Sequence, residues 1–246
     1  MVSKLNSDKL SDRLATVAKY VPQEARLADI GSDHAYLPVF LAKNKGLPFA
    51  IAGEVAAGPF NSAEGKVQSE GLTEIISVRM GDGLEVIGPN EVDCITIAGM
   101  GGALIVSILE RGKEKLSSVK RLVLQPNISA ISIRNWLIGN DWELIAEEII
   151  EEDGKIYEIL IAEKGEPHKP YGTNLGEGLL LGPFLAKRKE EAFKKKWSLE
   201  KNNWQRIYEA LESAAPSTEN SEKKQALLRK IELVEECLNN EESERS

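Results

Sequence analysis

The stretch Asp29-Ile-Gly-Ser-Asp-His-Ala-Tyr-Leu-Pro38 follows the short apolar run Arg26-Leu-Ala28 and precedes the helix-like Val39-Phe-Leu-Ala-Lys43. A strand ending in an acid, then a glycine turn, then a helix points to an open α/β sheet. In such a sheet the ligand lies outside the carboxyl ends of the strands. The turn lacks the second and third glycines of G-x-G-x-x-G, and it carries Asp33 where a phosphate cradle would avoid a carboxylate. Both departures disfavour a dinucleotide pyrophosphate. A plain βα turn with an exposed Asp and His is the competing reading.

The chain continues the alternation. In Leu10-Ser-Asp-Arg-Leu-Ala-Thr-Val-Ala-Lys-Tyr-Val21 the apolar residues 10, 14, 17, 18 and 21 have helical spacing, and Pro22 ends the run. Strands are expected at 26–30, 49–53 (ending at Glu54), 75–78, 92–98 and 121–124. Helices are expected at 59–70 with Gly71 as the stop, at 103–110 and at 130–139. The runs 142–150 and 155–162, joined by Glu151-Glu-Asp-Gly154, read as a hairpin. Five strands alternating with helices predict a parallel sheet with right-handed crossovers, to which the hairpin adds an antiparallel strand. Seven strands with the last one reversed is how methyltransferase domains finish. The expected fold class is therefore α/β, a Rossmann-like class I methyltransferase sheet with a helical arm behind it.

Residues 165–183 are rich in Gly and Pro and read as a connector. Beyond them Phe193, Trp197, Trp204, Ile207 and Leu211 recur near every 3.5 residues, and Leu227, Ile231, Val234 and Leu238 repeat the pattern. An antiparallel, coiled-coil-like helical pair is expected, separated at 214–220 and frayed from Asn239 on. The domains are then 1–164, a connector at 165–183, and a helical domain at 184–246.

With 246 residues, 42% of them hydrophobic, the chain can build a sizeable core. Cys94 and Cys237 lie far apart, Cys94 in an apolar strand-like run, which fits a reducing compartment. The polar start Met1-Val-Ser-Lys-Leu-Asn and the lack of an apolar run near about 18 residues predict a cytoplasmic, soluble protein without a membrane span. The net charge of -8 disfavours wholesale nucleic-acid binding. Residues 187–206, however, hold eight Lys or Arg against three Glu, a net of +5 that leaves -13 on the remainder. Such a stripe holds a polyanion even on an acidic protein, although a solvated helix face is the commoner meaning.

The strand ends carry the chemistry. Asp29 and Gly31 follow strand one, Glu54 strand two, Asp82 strand three, Gly99 strand four and Asn127 strand five, all along one sheet edge. An acid at the end of strand two accepts hydrogen bonds from a ribose diol, and Glu54 stands about 25 residues after Asp29. Asp82, in Met-Gly-Asp-Gly-Leu, is placed to accept from an adenine amine. Asp33 with a glycine turn suits a ligand with a positive centre and an amino acid end, such as S-adenosylmethionine. Its expected contacts are Asp29, Gly31, Ser32, Glu54, Val55, Asp82, Gly83, Ala98, Gly99 and Met100. No metal site is expected: the histidines are His34 and His168, and there is no Cys-x-x-Cys.

The whole pattern resembles the bacterial tRNA methyltransferases that modify N1 of adenine 22. The resemblance runs through Asp29-Ile-Gly-Ser-Asp-His-Ala-Tyr-Leu-Pro38, Gly53-Glu-Val55 with Gly58-Pro59, Gly81-Asp-Gly-Leu84, Ile97-Ala-Gly-Met-Gly-Gly102 and Leu124-Gln-Pro-Asn127. It extends to Leu10-Ser-Asp-Arg-Leu14 and the helical arm. It implies S-adenosylmethionine as methyl donor, S-adenosylhomocysteine as product and tRNA as substrate.

The residues agree with that chemistry. Enzymes that methylate the exocyclic N6 of adenine usually carry Asn-Pro-Pro-Tyr after strand four, whereas this strand ends in Ala98-Gly-Met-Gly-Gly102. N1 has an in-plane lone pair and needs no deprotonation before attack, so positioning suffices. The base must first be turned out of its stack. Tyr36 is the candidate to stack on it, Asp33 to bond N6 or take a proton, and His34 to orient Asp33; Asp33 as a helix N-cap is the structural alternative. Arg13 is expected at the cofactor or an RNA phosphate. Lys187, Arg188, Lys189, Lys194, Lys195 and Lys196 are the expected contacts to the RNA backbone. The competing functions are S-adenosylmethionine-dependent transfer to another RNA, a protein or a small molecule, and a non-catalytic cofactor-binding partner. A monomer is expected.

Overall fold

The structure, a computed structural model, describes residues 9–213 and 217–239. The chain divides into two compact units between Lys169 and Pro170. The first begins with α1 (Asp12–Tyr20) and continues through β1 (Arg26–Ile30), α2 (Tyr36–Lys45), β2 (Phe49–Glu54), α3 (Ala57–Ser69) and β3 (Ile76–Met80). A 3₁₀ turn (Gly83–Val86) leads to β4 (Cys94–Gly101), α4 (Gly102–Arg111), β5 (Arg121–Ile128) and α5 (Ala130–Ile138). The hairpin β6 (Trp142–Glu152) and β7 (Lys155–Lys164) completes a seven-stranded sheet of order β3-β2-β1-β4-β5-β7-β6. β1 to β5 are mutually parallel, and β7 runs antiparallel to β5 and β6. The strand order reverses between β1 and β4, which places a crevice at their carboxyl ends.

The central parallel strands are largely apolar because helices cover both faces. Leu27 to Ile30 on β1 and Cys94 to Ile97 on β4 are all buried. In β6 buried residues alternate with half-buried ones over much of its length. The turn between β6 and β7 consists of Asp153 (φ 50°) and Gly154 (φ 73°), the two left-handed residues that a tight hairpin requires. At the front, Ser11 accepts a hydrogen bond from the Leu14 N–H and caps α1, and the chain leaves that helix in extended form at Val21, before Pro22.

Two expectations change. Strand four extends beyond Ala98 to Gly101, with its register to β5 broken around Gly99. Gly99 adopts φ +78°, and Pro126, which pairs Met100, has no N–H for the ladder. The segment read as a connector holds a 3₁₀ turn (Lys169–Tyr171) and α6 (Leu175–Leu181). Its Leu180 and Leu181 are buried, so apolar burial outweighs the local glycines there.

The second unit contains α6, α7 (Leu185–Arg188), α8 (Glu191–Glu212) and α9 (Thr218–Asn239). Lys201 pairs with Glu235, and Lys230 lies 5.4 Å from the Trp204 ring, so partner numbers fall along α9 as they rise along α8. The two helices are therefore antiparallel. Phe193, Trp197, Ile231 and Val234 are buried along the expected seam, whereas Ile207 is exposed. Residues 214–216 of the expected separator and those after Asn239 lie outside the described residues.

Candidate active site

The loop from β1 to α2 is unusual in its backbone. Gly31 (φ 68°) is followed by Asp33 (46°), His34 (66°) and Ala35 (57°), all left-handed. Non-glycine residues resist this region, and a run of three persists only where the surroundings enforce it. Two buried carboxylates adjoin it. Asp29, buried, accepts from Ser32 Oγ and from Thr96 Oγ1, each at 2.6 Å. Glu54, also buried, lies near the backbone N–H groups of Asp33 and His34, which favour its charged form. Burial raises the pKa of both acids, and their hydrogen bonds counter it in part. Glu54 Oε1 remains buried without a protein partner.

Beside this loop lies a cavity of about 220 Å³. Gly31, Val55, Asp82, Gly83 and Met100 line it, together with Leu104 and Ile108, which the sequence did not single out. A methyl group on Gly31 would stand 2.3 Å from Met100 Cε and force a β-carbon onto a left-handed residue. Asp82 is not free: Arg111 donates to both of its carboxylate oxygens and lowers its pKa. Its N–H donates to Glu85. Ser32 is the hydroxyl that ties the loop to Asp29, Ala98 is half-buried against the core, and Gly99 is exposed.

The expected base-handling residues stand together at the start of α2. Asp33 and His34 side chains are exposed, with Asp33 Oδ1 3.5 Å from His34 Nε2. The Tyr36 ring is half-buried, 5.6 Å from that of His34. Asp33 does not cap the helix; the cap position is Ala35 and has no side-chain bond.

At the ends of β4 and β5 a buried relay appears. Gln125, fully buried, accepts at Oε1 from Gly99 N at 3.0 Å and from Arg13 Nη1 at 2.5 Å. The Arg13 guanidinium also lies 5.5 Å from the Tyr157 ring, and its backbone N–H donates to Glu152. Thr96, Gln125 and Arg111 escape sequence reading because their partners lie 26 to 112 residues away. A buried glutamine in an otherwise apolar strand was the one available signal.

Lys187 and Arg188 lie on α7, Lys189 in the following turn, and Lys194, Lys195 and Lys196 near the start of α8. Arg188 meets Glu190, Lys194 meets Glu191, and Lys196 stands 5.0 Å from the Trp197 ring. Arg13 belongs to the other unit. Among the described residues no cluster of three or more His, Cys, Asp or Glu is placed to hold a metal, and no helix is long and apolar enough to cross a membrane.

A seven-stranded sheet with a reversed β7 and acids at successive strand ends defines the class: a Rossmann-like class I methyltransferase. The family model described as tRNA (adenine(22)-N(1))-methyltransferase matches residues 27–236. The chain belongs to that family. The tRNA (adenine(22)-N(1))-methyltransferase of Bacillus subtilis (strain 168) is 53% identical over 235 residues, 95% of this chain and 99% of its own. The crystal structure of the B. subtilis m1A22 tRNA methyltransferase TrmK superposes with a TM-score of 0.92 at 53% identity, covering 94% of this chain and 100% of that one. Streptococcus pneumoniae Sp1610 in complex with S-adenosyl-L-methionine gives 0.79 at 42% identity, over 94% and 100% of the two chains.

Proposed function

We propose that this protein transfers a methyl group from S-adenosylmethionine to N1 of adenine 22 in tRNA. The observation that carries the cofactor is the buried, unpartnered Glu54 Oε1 at the end of β2, next to a glycine-lined cavity. An acid at that point accepts from a ribose diol. Gly31 permits close backbone approach, and Val55, Met100, Leu104 and Ile108 supply apolar walls. Asp82, already paired with Arg111, would present what acceptor capacity remains to an adenine amine. When bound, S-adenosylmethionine supplies an electrophilic methyl on a sulfonium.

The chain's own residues then hold the acceptor. N1 of adenine attacks through its in-plane lone pair, so no general base is needed for bond formation. Tyr36 supports the extruded base, and the strained 33–35 loop keeps Asp33 and His34 at the mouth of the site. The methylated ring is left as a cation, which the Asp33 carboxylate stabilises as counter-charge or by accepting an N6 proton. The β4 exit, all small residues and Met100, leaves room for the base edge. The first unit, up to Lys169, acts as the methyltransferase domain, and the second, from Pro170, holds tRNA through the basic side chains of α7 and α8 and the turn at Lys189. Arg13, although tied to Gln125, is the candidate for a phosphate from the catalytic side. The reading includes a cytoplasmic monomer that needs no metal.

Incubation with labelled S-adenosylmethionine and an unmodified tRNA transcript, followed by nucleoside digestion, tests the reaction. Label is expected in 1-methyladenosine and is lost when adenine 22 is replaced by guanine. Label in another nucleoside would overturn the chemistry.

A further inference from the structure

We infer that Asn127 selects the target base by reading the N6 and N7 edge of adenine; this rests on the proposed transfer to N1. Asn127 is exposed at the end of β5, where a side chain would ordinarily rotate freely. Here its orientation is fixed. Asn127 Nδ2 donates to Gly99 O at 2.8 Å, and its Oδ1 faces Gln125 Nε2 at 3.4 Å. The polarity of Gln125 is in turn set by the two donors at its Oε1, Gly99 N and Arg13 Nη1. A flipped carboxamide at either position would set donor against donor.

Both backbone polar groups of Gly99 are therefore bound by β5 side chains instead of by the strand ladder. The next residue, Met100, lines the cofactor cavity, so Asn127 stands at the border of the reaction site. After these bonds the Asn127 carboxamide keeps one free N–H and one free lone pair. That donor and acceptor pair complements adenine, which offers an N6 hydrogen and an N7 acceptor on one edge. Guanine offers two acceptors there and is refused. Reading this edge leaves N1 uncovered for the methyl. It also leaves the second N6 hydrogen, on the N1 side, for Asp33. Arg13 and Gln125 act as positioning residues behind Asn127.

The test uses the full-length protein with two transcripts, one natural and one with 7-deazaadenosine at the target, which removes the N7 acceptor. A good bidentate contact discriminates by roughly tenfold or more. Wild type should lose about tenfold in kcat/KM on the deaza substrate. Asn127→Ala should lose about tenfold on adenine and nothing further on the deaza substrate, because both changes remove the same contact. Asn127→Asp, which keeps the acceptor but loses the donor, should also ignore N7 removal. Because Asn127 also holds Gly99 O, kcat/KM is compared at saturating S-adenosylmethionine, with the Kd of each variant measured by calorimetry. If wild type does not respond to N7 removal, or if the losses simply multiply, the inference fails while the proposed reaction stands. If wild type places no methyl on N1 of the natural transcript, both fail.

Discussion

Single residues show how closely burial and charge are balanced. Arg134 on α5 is fully buried between Glu147 of β6 and Glu158 of β7, both also buried. Burial alone would lower its pKa, but the two carboxylates raise it, and the guanidinium stays charged. Removing it leaves two buried carboxylates facing each other. Arg134→Ala should lower unfolding free energy by about 3–5 kcal/mol, read from urea denaturation. Cys94 illustrates the opposite case, a thiol pushed up to about 12 by burial and hence unreactive at neutral pH. At the site, Asp33 is exposed and its removal costs no packing. Asp33→Ala should therefore change its melting temperature little and keep its S-adenosylmethionine affinity while kcat falls by about 10²-fold or more, the range for losing one preorganised group that stabilises developing charge. Normal turnover by this variant would place the base-handling chemistry elsewhere.

Elements are joined by contacts that report on pH. Glu91, between the 3₁₀ turn and β4, takes a bidentate pair from Arg79 of β3 at 2.6 and 2.7 Å and a hydrogen bond from Gly88 N. The Arg79 hydrogen bonds, against a smaller desolvation cost, bring its pKa from 4.5 down to about 2. A depressed carboxylate stabilises the fold above its unfolded pKa, and that contribution fades as pH falls through the folded value. The stability gap between wild type and Glu91→Gln should accordingly be widest above about pH 5 and shrink toward pH 2. A gap independent of pH would mean that the charge of Glu91 contributes nothing. The sequence located β3 and β4 to within a few residues but gave no sign of this clasp, since Arg79 and Glu91 belong to different segments.

At the scale of the molecule, charge is unevenly placed: residues 187–206 carry a net +5 on a chain whose formal net charge is -8. Within that stripe Arg188 is paired with Glu190 and Lys194 with Glu191. Lys187 and Lys195 are exposed residues of the stripe. Replacing both by Glu should weaken tRNA binding at low salt and flatten the dependence of log affinity on log salt by about one unit per lost phosphate contact. An unchanged slope would reduce the stripe to a solvated face.

The sequence by itself determined the alternation of strands and helices, the reversed hairpin with its Asp-Gly turn, the helical pair and the strand-end acids. These follow from local periods, turn chemistry and the rule that ligands of open α/β sheets gather at carboxyl ends. Only the tertiary structure decided what each acid does. Asp29 clasps Thr96 across the sheet, Glu54 keeps a buried oxygen without a protein partner, and Asp82 is committed to Arg111. Strand register also brought Gln125 opposite the β4 bulge and so oriented Asn127. The physical reason is range: backbone preference acts within a few residues, whereas a buried polar group must be satisfied by whatever the completed sheet places beside it.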